Sequence, residues 1–278
     1  MRTEPVPLDA LRCPRDGGAL ERRGDALRCV ACGTLHPVHR GIPDFTATAP
    51  SNSARWRAAQ AYEFGYWSAR GEQSLTTDRA HFVEAAKGLS EIFDAHSGAA
   101  WRERVAHIGP AGLGEIHHLP ARERWAVEPL AVALDREGLL AHDGVHWVAA
   151  MGEHLPFADG ALSAAVIPNV IDHVADPVRL LAEVHRCLRP GAPLWLTLHV
   201  TRPALAPFVS LLARTRIGYF AGHPHAFTPA AIRGLLVAAG FTIASEQSGP
   251  AVEAGARGGL RSRIKTGLLG VRYLLAVA

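Results

Sequence analysis

From residue 104 onward, the spacing of apolar residues predicts strands and helices in alternation. The candidate strands are the segments 104–109, 124–128, 146–151, 163–168, 193–200, 241–247 and 272–278. Helical spacing predicts helices at 113–119, 130–139, 177–188 and 229–239. Thr228 and Pro229 have the order of a helix cap and a first helical residue. The alternation predicts an α/β fold: a Rossmann-like, seven-stranded, mostly parallel sheet with helices on both faces.

The first hundred residues have a different pattern. Residues 1–49 contain three of the four cysteines and a short hairpin-like insert, which predicts a small β domain. Residues 50–103 have helical spacing, with a second periodic segment at 79–95, and predict a helical cap or linker. We therefore expect three parts, 1–49, 50–103 and 104–278, the last with a lid at 201–227.

The carboxyl ends of the predicted strands form a candidate ligand site, because open parallel sheets bind ligands at that edge. The first strand ends in "HIGPAGLG", where Gly109 and Gly112 allow a tight turn. The helix predicted after this turn would offer free N–H groups to a carboxylate. Glu128 follows roughly twenty residues later, where a carboxylate can accept from both hydroxyls of a ribose. An adenine would lie at "MGEHLPFADG", and the reactive end of a cofactor at "IPNVIDHVADP".

Composition narrows the class of protein. The 278 residues are 48% hydrophobic and 20% charged, enough for one sizeable core and too apolar for bulk disorder. A formal net charge of +3 does not argue for a polyanionic partner. No apolar run has transmembrane length, and the first residues lack the apolar block of a signal peptide. These features predict a cytoplasmic protein without a membrane span, in which cysteines serve as thiols or metal ligands.

The run from Gly152 to Val200 resembles the class I S-adenosylmethionine-dependent methyltransferases. The similar motifs are "GEHLPFADG", "NVIDHVADP" and "CLRPGAPLWLTLHV", and "AFTPAAIRGLLVAAGFTIAS" matches the helix and strand that follow in the family. The resemblance covers about residues 100–278 and implies S-adenosylmethionine as cofactor. The residues that would bind it are His107, Gly109, Pro110, Ala111, Gly112, Glu128, Pro129, Gly152, Glu153, His154 and Asn169.

Three positions depart from the usual family pattern. His107 replaces an acidic residue, Met151 replaces an Asp, and the turn is Gly-Pro-Ala-Gly-Leu rather than Gly-x-Gly-x-Gly. A subgroup of the family is similar at these positions and at Glu128-Pro129-Leu130. We therefore expect the chain to bind the cofactor. Backbone carbonyls or other groups would then accept hydrogen bonds from the methionine amino group. The alternatives are a fold relative that has lost the cofactor and, with a poorer fit to "GPAGLG", a nicotinamide-dependent dehydrogenase.

The amino-terminal cysteines have the arrangement of zinc ligands. Two ligand pairs from two turns can close a tetrahedron, and here the pairs are Cys13 with Asp16 and Cys29 with Cys32. With "HPV" and "GIPDF", the segment resembles the small zinc ribbon that activates tRNA and protein methyltransferases. The resemblance implies a structural zinc, with His36 as an alternative fourth ligand. A ribbon that has lost its metal is the other interpretation.

Two histidines are candidate general bases, since an oxygen or nitrogen acceptor often loses a proton during methyl transfer. His173 follows the fourth predicted strand, and His199 lies near the end of the fifth. Histidine suits this chemistry near neutral pH. The chain has 15 histidines, so a packing role is the alternative for either. His223 and His225 fall in the predicted lid.

The expected function is S-adenosylmethionine-dependent transfer of a methyl group to an oxygen or nitrogen of a small-molecule or glycan-like substrate. One alternative is an RNA methyltransferase whose ribbon grips RNA, although the ribbon has no aromatic platform for bases. The ribbon arginines that could meet phosphates are Arg12, Arg15, Arg22, Arg23, Arg28 and Arg40. The other alternative is a non-catalytic, methyltransferase-like scaffold.

Overall fold

The computed structural model describes residues 6–49, 54–71, 79–215, 222–249 and 269–278. The amino-terminal part is a four-stranded antiparallel sheet, followed by two helices. Its strands are β1 Leu20–Arg23, β2 Ala26–Cys29, β3 Leu35–His39 and β4 Ile42–Pro43, and the helices are α1 Ala54–Arg70 and α2 Arg79–Ser97. The four-stranded sheet, with the cysteines beside it, is called the ribbon below.

The rest of the chain forms an α/β structure with a seven-stranded sheet. Its strands are β5 Arg104–Ile108, β6 Glu123–Val127, β7 His146–Val148, β8 Ala164–Pro168, β9 Pro193–Thr201, β10 Thr242–Gly249 and β11 Leu269–Val277. Its helices are α3 Ala131–Arg136, α4 Pro177–Cys187, α5 Ala206–Thr215 and α6 Pro229–Ala238. All seven predicted strands are present.

The strand order across this sheet is β10-β11-β9-β8-β5-β6-β7. Strands β5 to β9 pair in parallel, whereas β11 lies antiparallel between β9 and β10. The predicted mostly parallel, Rossmann-like sheet is therefore confirmed. The chain runs outward in opposite directions from β5 and β8, so the switch point lies between these two strands.

Helices cover both faces of the sheet, because successive strand residues point to opposite sides. Ala106 and Ile108 of β5 pack into one core with Leu180 of α4. Val105, the residue before Ala106, points to the opposite face and packs into the other core with Phe93 of α2. The predicted start of α6 is also confirmed, since Thr228 Oγ1 accepts a hydrogen bond from the Ala231 N–H at 3.1 Å.

Backbone hydrogen bonds attach the ribbon to the free edge of the large sheet. The Phe45 N–H donates to Ala149 O at 2.8 Å, and the Ala149 N–H donates to Pro43 O at 2.9 Å. A second contact lies nearby, where the Arg12 N–H donates to Pro156 O at 2.9 Å. The ribbon thus pairs with the segment that follows β7 and covers an edge that would otherwise be exposed.

The helix predicted at 113–119 is wrong. This segment forms a single 3-10 turn, Glu115–His117. The buried His117 side chain fixes the turn, with Nδ1 3.1 Å from Gly114 O and Nε2 3.0 Å from Ala141 O. Side-chain hydrogen bonds and the following Pro120 end the helical pattern after one turn. The expected anion site at a helix start near residue 112 is therefore wrong as well.

The predicted lid is described only in part. Helix α5 and residues 222–227 are described, whereas residues 216–221 lie outside the described residues. The Thr201 N–H donates to Phe227 O at 2.7 Å, which joins the end of this segment to the end of β9. No helix among the described residues is long and apolar enough to cross a membrane.

Candidate cofactor and acceptor site

The carboxyl ends of β5, β6, β8 and β9 meet at one edge of the sheet, where the backbone is strained. Gly109, Ala111 and Asn169 have φ angles of 74°, 54° and 55°. The left-handed region is unfavourable for residues with a Cβ, and such outliers cluster at binding sites. A Cβ at Gly109 would also lie 2.6 Å from Val170 Cγ2, so glycine is required at this turn.

Glu128 lies at the end of β6 and faces this turn. Its Oε2 accepts a hydrogen bond from the Ala111 N–H at 3.0 Å, and its Oε1 accepts one from the Leu130 N–H at 3.0 Å. Burial raises the pKa of Glu128 to about 7, although the two N–H groups act in the opposite direction. Each carboxylate oxygen retains a lone pair for a further donor, such as a ribose hydroxyl.

The turn residues between β5 and this carboxylate are well packed. Pro110, Ala111 and Gly112 are buried, and Pro129 is half-buried beside Glu128. The structure therefore brings the predicted turn and the predicted ribose acceptor into direct contact. The position predicted for these residues, at one edge of the sheet, is the position that the structure shows. Their binding of a cofactor stays a prediction.

His107 lies beneath the turn rather than beside it. A Cβ on Gly114 would come within 2.5 Å of His107 Cε1, so the ring packs directly under Gly114. Burial lowers the pKa of His107 to about 3, and burial also raises the pKa of neighbouring Glu115. His107 Nδ1 is 3.6 Å from Glu115 Oε2, too far for a hydrogen bond. Only the backbone of His107 therefore remains a plausible cofactor contact.

The segment after β7 connects the predicted adenine site to α4. Glu153 Oε1 accepts hydrogen bonds from the N–H groups of Ala175 and Asp176, at 2.7 and 3.2 Å. Gly152 packs against Leu180, and buried His154 has its pKa lowered by burial and by the nearby charge of Arg179. The Glu153 carboxylate thus stabilises the loop before α4, a role that the sequence did not predict.

Two imidazoles and two carboxylates converge just beyond β8. His173 Nδ1 donates to Glu63 Oε1 of α1 at 3.1 Å, and His223 Nδ1 donates to Asp172 Oδ2 at 2.7 Å. The ring centroids of the two histidines are 4.1 Å apart. Helix α1, the loop after β8 and the end of the predicted lid therefore meet at one point.

The charges in this cluster shift its pKa values. Burial would raise the pKa of Asp172, but the hydrogen bond from His223 and the charges of both histidines lower it overall. Burial would lower the pKa of His173, but Glu63, Asp172 and the more distant Glu128 raise it. His173 therefore keeps a proton more readily than an isolated imidazole.

His199, the second predicted base, lies near the end of β9. Its Nδ1 donates to Asn169 Oδ1 at 2.6 Å, and Asn169 is one of the residues with left-handed backbone. Because a carbonyl oxygen can only accept, the hydrogen of this contact is on Nδ1, and the contact fixes the orientation of the ring.

Sequence reasoning missed Glu63 and Asp172. Glu63 lies 110 residues before its partner His173, on a helix whose periodicity gives no indication of that contact. Asp172 is part of the quoted "NVIDHV" motif, and its place next to His173 was a usable signal. His225, in the same predicted lid as His223, donates through Nε2 to Val174 O at 2.9 Å.

The ribbon gathers the four predicted zinc ligands. The ligand atoms of Cys13, Asp16, Cys29 and Cys32 all lie within 4.8 Å of one another. Cys13 Sγ is 3.9 Å from Cys32 Sγ, and two thiolates in a tetrahedral zinc site are separated by about 3.8 Å. His36 Nε2 is 3.5 Å from Cys13 Sγ, so this ring packs beside the four. The donor set and spacing fit zinc.

The pKa values in the ribbon reflect different environments. Burial raises the pKa of Cys13 to about 12, whereas hydrogen bonds from Thr34 lower the pKa of exposed Cys32. The Gly18 N–H and the neighbouring thiols lower the pKa of Asp16 to about 2. Asp16 is thus ready to act as an anionic oxygen ligand.

Comparison with known proteins finds methyltransferase similarity in the larger part of the chain. Residues 116–196 match the family model described as "Methyltransferase domain". In its fold, the chain is similar to geranyl diphosphate C-methyltransferase from Streptomyces coelicolor A3(2), with a TM-score of 0.52 and 17% identity, covering 69% of this chain and 78% of that one. Residues 116–196 are therefore similar in sequence to a methyltransferase domain, and the α/β part has the fold of a solved methyltransferase.

Curated relatives match shorter stretches. An uncharacterised methyltransferase of Mycobacterium sp. (strain JLS) is 46% identical over 54 residues, 19% of this chain and 21% of the relative. The ubiquinone/menaquinone biosynthesis C-methyltransferase UbiE of Rubrivivax gelatinosus is 32% identical over 126 residues, 42% of this chain and 50% of the relative. The chain thus spans at most half of the length of either relative.

A further structural match shows that proteins with this fold are not all named as methyltransferases. The (4+2)-cyclase SpnF has a TM-score of 0.50 and 20% identity, and the match covers 70% of this chain and 82% of that one. Structural neighbours thus include a protein named for cyclisation as well as one named for methylation. The site, rather than the fold, has to carry a functional conclusion.

Proposed function

We propose that the protein is an S-adenosylmethionine-dependent methyltransferase. The observation that carries the proposal is the buried Glu128 carboxylate at the end of β6, bonded to the Gly109–Gly112 turn at the switch point of a class I methyltransferase sheet. A carboxylate in this place can accept from both ribose hydroxyls. The matched methyltransferase domain supports the same conclusion.

Each strand end has a role in this proposal. The turn at 109–112 lets a ligand approach the backbone, Glu128 and Pro129 bind the ribose, and 152–154 line the adenine. Asn169 and the backbone of His107 complete the site near the methionine part. The cofactor, when bound, supplies an electrophilic methyl group; the residues of this chain orient the acceptor and exclude water.

We assign the general base to His199 in preference to His173. Asn169 Oδ1 accepts a hydrogen bond from His199 Nδ1, which fixes the ring at the end of β9 without a carboxylate to hold its proton. His173 donates to Glu63, and its raised pKa leaves a smaller fraction of the ring deprotonated, and so able to accept a proton, near neutrality. Replacing His199 with glutamine should lower the methyl-transfer rate by about 10² or more without weakening cofactor binding.

The acceptor proposed is the oxygen or nitrogen of a small-molecule or glycan-like substrate. The alternative of RNA loses support because five of the six ribbon arginines already contact acceptors of this chain. These five are Arg12, Arg15, Arg22, Arg28 and Arg40. Such exposed contacts are weak individually, yet together they reduce the number of guanidinium groups that face outward as a phosphate-binding surface.

We also propose a structural zinc bound by Cys13, Asp16, Cys29 and Cys32. The proposed division of the chain is a ribbon at 1–49, a helical cap at 50–103 and the methyltransferase domain at 104–278, with a lid at 201–227. The metal would stabilise the ribbon, whose sheet is too small to bury a large core of its own.

A calorimetric titration with S-adenosylhomocysteine tests the proposed function. Metal-replete protein should bind one equivalent, and NAD should not compete, because the turn lacks the Gly-x-Gly-x-x-Gly pattern. Absence of heat with S-adenosylhomocysteine, confirmed by an unshifted melting temperature, would sink the proposal in favour of a scaffold or another ligand.

A further inference from the structure

Beyond β8, the cluster of histidines and carboxylates has the composition of a second metal site. We propose that Asp172, His173 and His223 bind a divalent first-row transition ion, separate from the zinc of the ribbon. The three residues come from the loop after β8 and from the end of the predicted lid. The ion would therefore join two segments that are 50 residues apart in the chain, next to the expected end of the cofactor.

The geometry fits one ion. One ligand atom from each residue can be chosen so that all three lie within 4.8 Å of one another. His173 Nε2 is 3.9 Å from Asp172 Oδ1, and two ligands about 2.1 Å from a common ion lie roughly 3 to 3.5 Å apart. The two rings are tilted by 58° rather than stacked, so their edges can converge. The His173–Asp172 pair would need to close by about half an ångström to share an ion.

An unpartnered atom points to a ligand. Asp172 is buried, and its Oδ1 has no hydrogen-bond partner within the part of the chain that the structure describes. An unpaired carboxylate oxygen in the interior is costly, because it has lost its water without gaining a donor. An ion bound to Oδ1 would remove this cost.

The second ring nitrogen of His173 already has the partner that metal-binding histidines require. Its Nδ1 donates to Glu63 Oε1, which fixes the ring and directs Nε2 toward Asp172. A carboxylate behind a histidine is typical of metal sites, since it sets the tautomer and strengthens the ligand. We therefore assign Glu63 as the positioning residue of this site.

The donor set defines the class of ion. Two imidazoles with a carboxylate suit Mn²⁺, Fe²⁺ or Zn²⁺, whereas the thiolates of the ribbon select zinc. This chemical difference makes the two sites separable by experiment. Mn²⁺ is the best probe, because it binds nitrogen and oxygen donors and competes poorly for thiolates.

The role of the ion, though not the site itself, rests on the proposed function. Three protein ligands leave coordination positions open for an oxygen of the acceptor. An ion in that position would orient a hydroxyl group and lower its pKa beside the proposed base His199. The acceptor class that this site favours is a small molecule with a hydroxyl group.

Electron paramagnetic resonance of Mn²⁺ tests the site directly. Chelator-treated protein first receives a single equivalent of zinc, which the ribbon thiolates take in preference to nitrogen and oxygen donors. It is then titrated with Mn²⁺, and bound ion is measured from loss of the free signal. We expect one equivalent to bind, with nitrogen couplings from two imidazoles in the spin-echo spectrum. Asp172→Asn and His223→Gln should each weaken binding at least tenfold, and Glu63→Gln by about ten- to a hundredfold.

Two control variants keep the result interpretable. His225→Gln changes a histidine in the same segment as His223, and Cys32→Ser removes a ribbon ligand; both should keep the wild-type affinity for Mn²⁺. Equal Mn²⁺ affinity in His223→Gln and His225→Gln, or a folded wild type that binds no Mn²⁺, overturns the proposal. Circular dichroism establishes that each variant is folded.

The same variants separate this inference from the proposed function. Asp172→Asn should bind S-adenosylhomocysteine within about threefold of the wild type, because its contacts lie beyond the cofactor turn. If the protein binds S-adenosylhomocysteine but not Mn²⁺, the proposed function stands and the proposed metal site is wrong. If the protein binds Mn²⁺ but not S-adenosylhomocysteine, the proposed metal site stands and the proposed function is wrong.

Discussion

Glu128 is the side chain on which the proposed cofactor site depends most. Its carboxylate is buried, bonded to two backbone N–H groups, and has a pKa raised to about 7. The charged form is therefore penalised by burial until a ligand supplies further donors. A ribose diol would supply two, and binding should shift the carboxyl toward its anion.

A pH dependence of binding follows. Because the ligand favours the ionised carboxylate, binding releases a proton below pH 7, and affinity for S-adenosylhomocysteine should rise by about tenfold between pH 6 and pH 8. Glu63 and His173 are the other titrating groups that act on Glu128. Calorimetry across this range should give a flatter profile for Glu128→Gln, and an unchanged profile in that variant would assign the titration to another group.

The raised pKa of Glu128 makes the stability of the free protein depend on pH in the opposite direction from ligand affinity. The folded pKa of about 7 lies above the ordinary value of 4.5, so the folded state holds a proton that the unfolded chain releases. The contribution to stability is complete below about pH 4.5 and is lost as the pH rises through 7. Ligand binding should therefore stabilise the protein most at alkaline pH.

For single residues, the sequence predicted positions that depend on neighbouring residues in the chain. Glu128 follows its strand directly, and its spacing from the glycine turn predicted a place at the same sheet edge, where the structure has it. Glu63 could not be predicted, because its contact with His173 depends on how α1 packs across the sheet edge. The role of Glu153 was missed for a similar reason, since the N–H groups it accepts from belong to a loop that periodicity does not describe.

Among the elements, the segment from the end of β5 to the 3-10 turn at Glu115–His117 differs most from a standard nucleotide-binding loop, in which a helix follows the glycine turn. The strands on both sides were predicted correctly, because each is a short apolar run with polar or turn residues at its ends. It failed at 113–119, where the buried His117 side chain replaces the helix with one turn. Hydrogen bonds made by a side chain to distant carbonyls leave no periodic signal.

Gly109 gives a prediction about this turn. Gly109→Ala forces a Cβ into the left-handed region and to within 2.6 Å of Val170, and it should reduce the free energy of unfolding by about 2–4 kcal/mol. Gly138→Ala is the matched control, since Gly138 has a φ of 71° but no atom within 4 Å of its Cβ position.

Urea unfolding of both variants measures the difference. Gly138→Ala should cost only about 1 kcal/mol, the backbone part of the effect. Equal losses in the two variants would mean that the close contact with Val170 is relieved cheaply and that the turn is not rigid.

In the whole molecule, the ribbon and the large sheet share one core. Leu11, Leu27 and Phe45 of the ribbon pack in the same cluster as Trp125 and Phe157. Backbone hydrogen bonds at Ala149 add to this contact. The ribbon is therefore an integral layer over the segment that is proposed to bind adenine, and not an independent appendage. This attachment could not be predicted from the sequence, because it joins residues far apart in the chain, Asp44 with Ala149 and Leu11 with Phe157.

Zinc removal should consequently act on the whole chain. Chelation, or Cys29→Ser, should lower the melting temperature by several degrees in a single cooperative transition, since zinc binding is linked to folding of the shared core. Differential scanning calorimetry distinguishes this outcome from an early, separate transition of the ribbon. An unchanged melting temperature with full zinc loss would show that the ribbon does not need its metal.

An adenosyl cofactor bound at the ends of β5 and β6 would contact Glu128, and one affinity ratio tests this binding most directly. S-adenosylhomocysteine is titrated into wild type, Glu128→Ala and the control Glu137→Ala, an exposed acid at the end of α3. Loss of the charged acceptor should weaken binding about ten- to a hundredfold in Glu128→Ala, with the control unchanged. Wild-type affinity in folded Glu128→Ala would contradict the account.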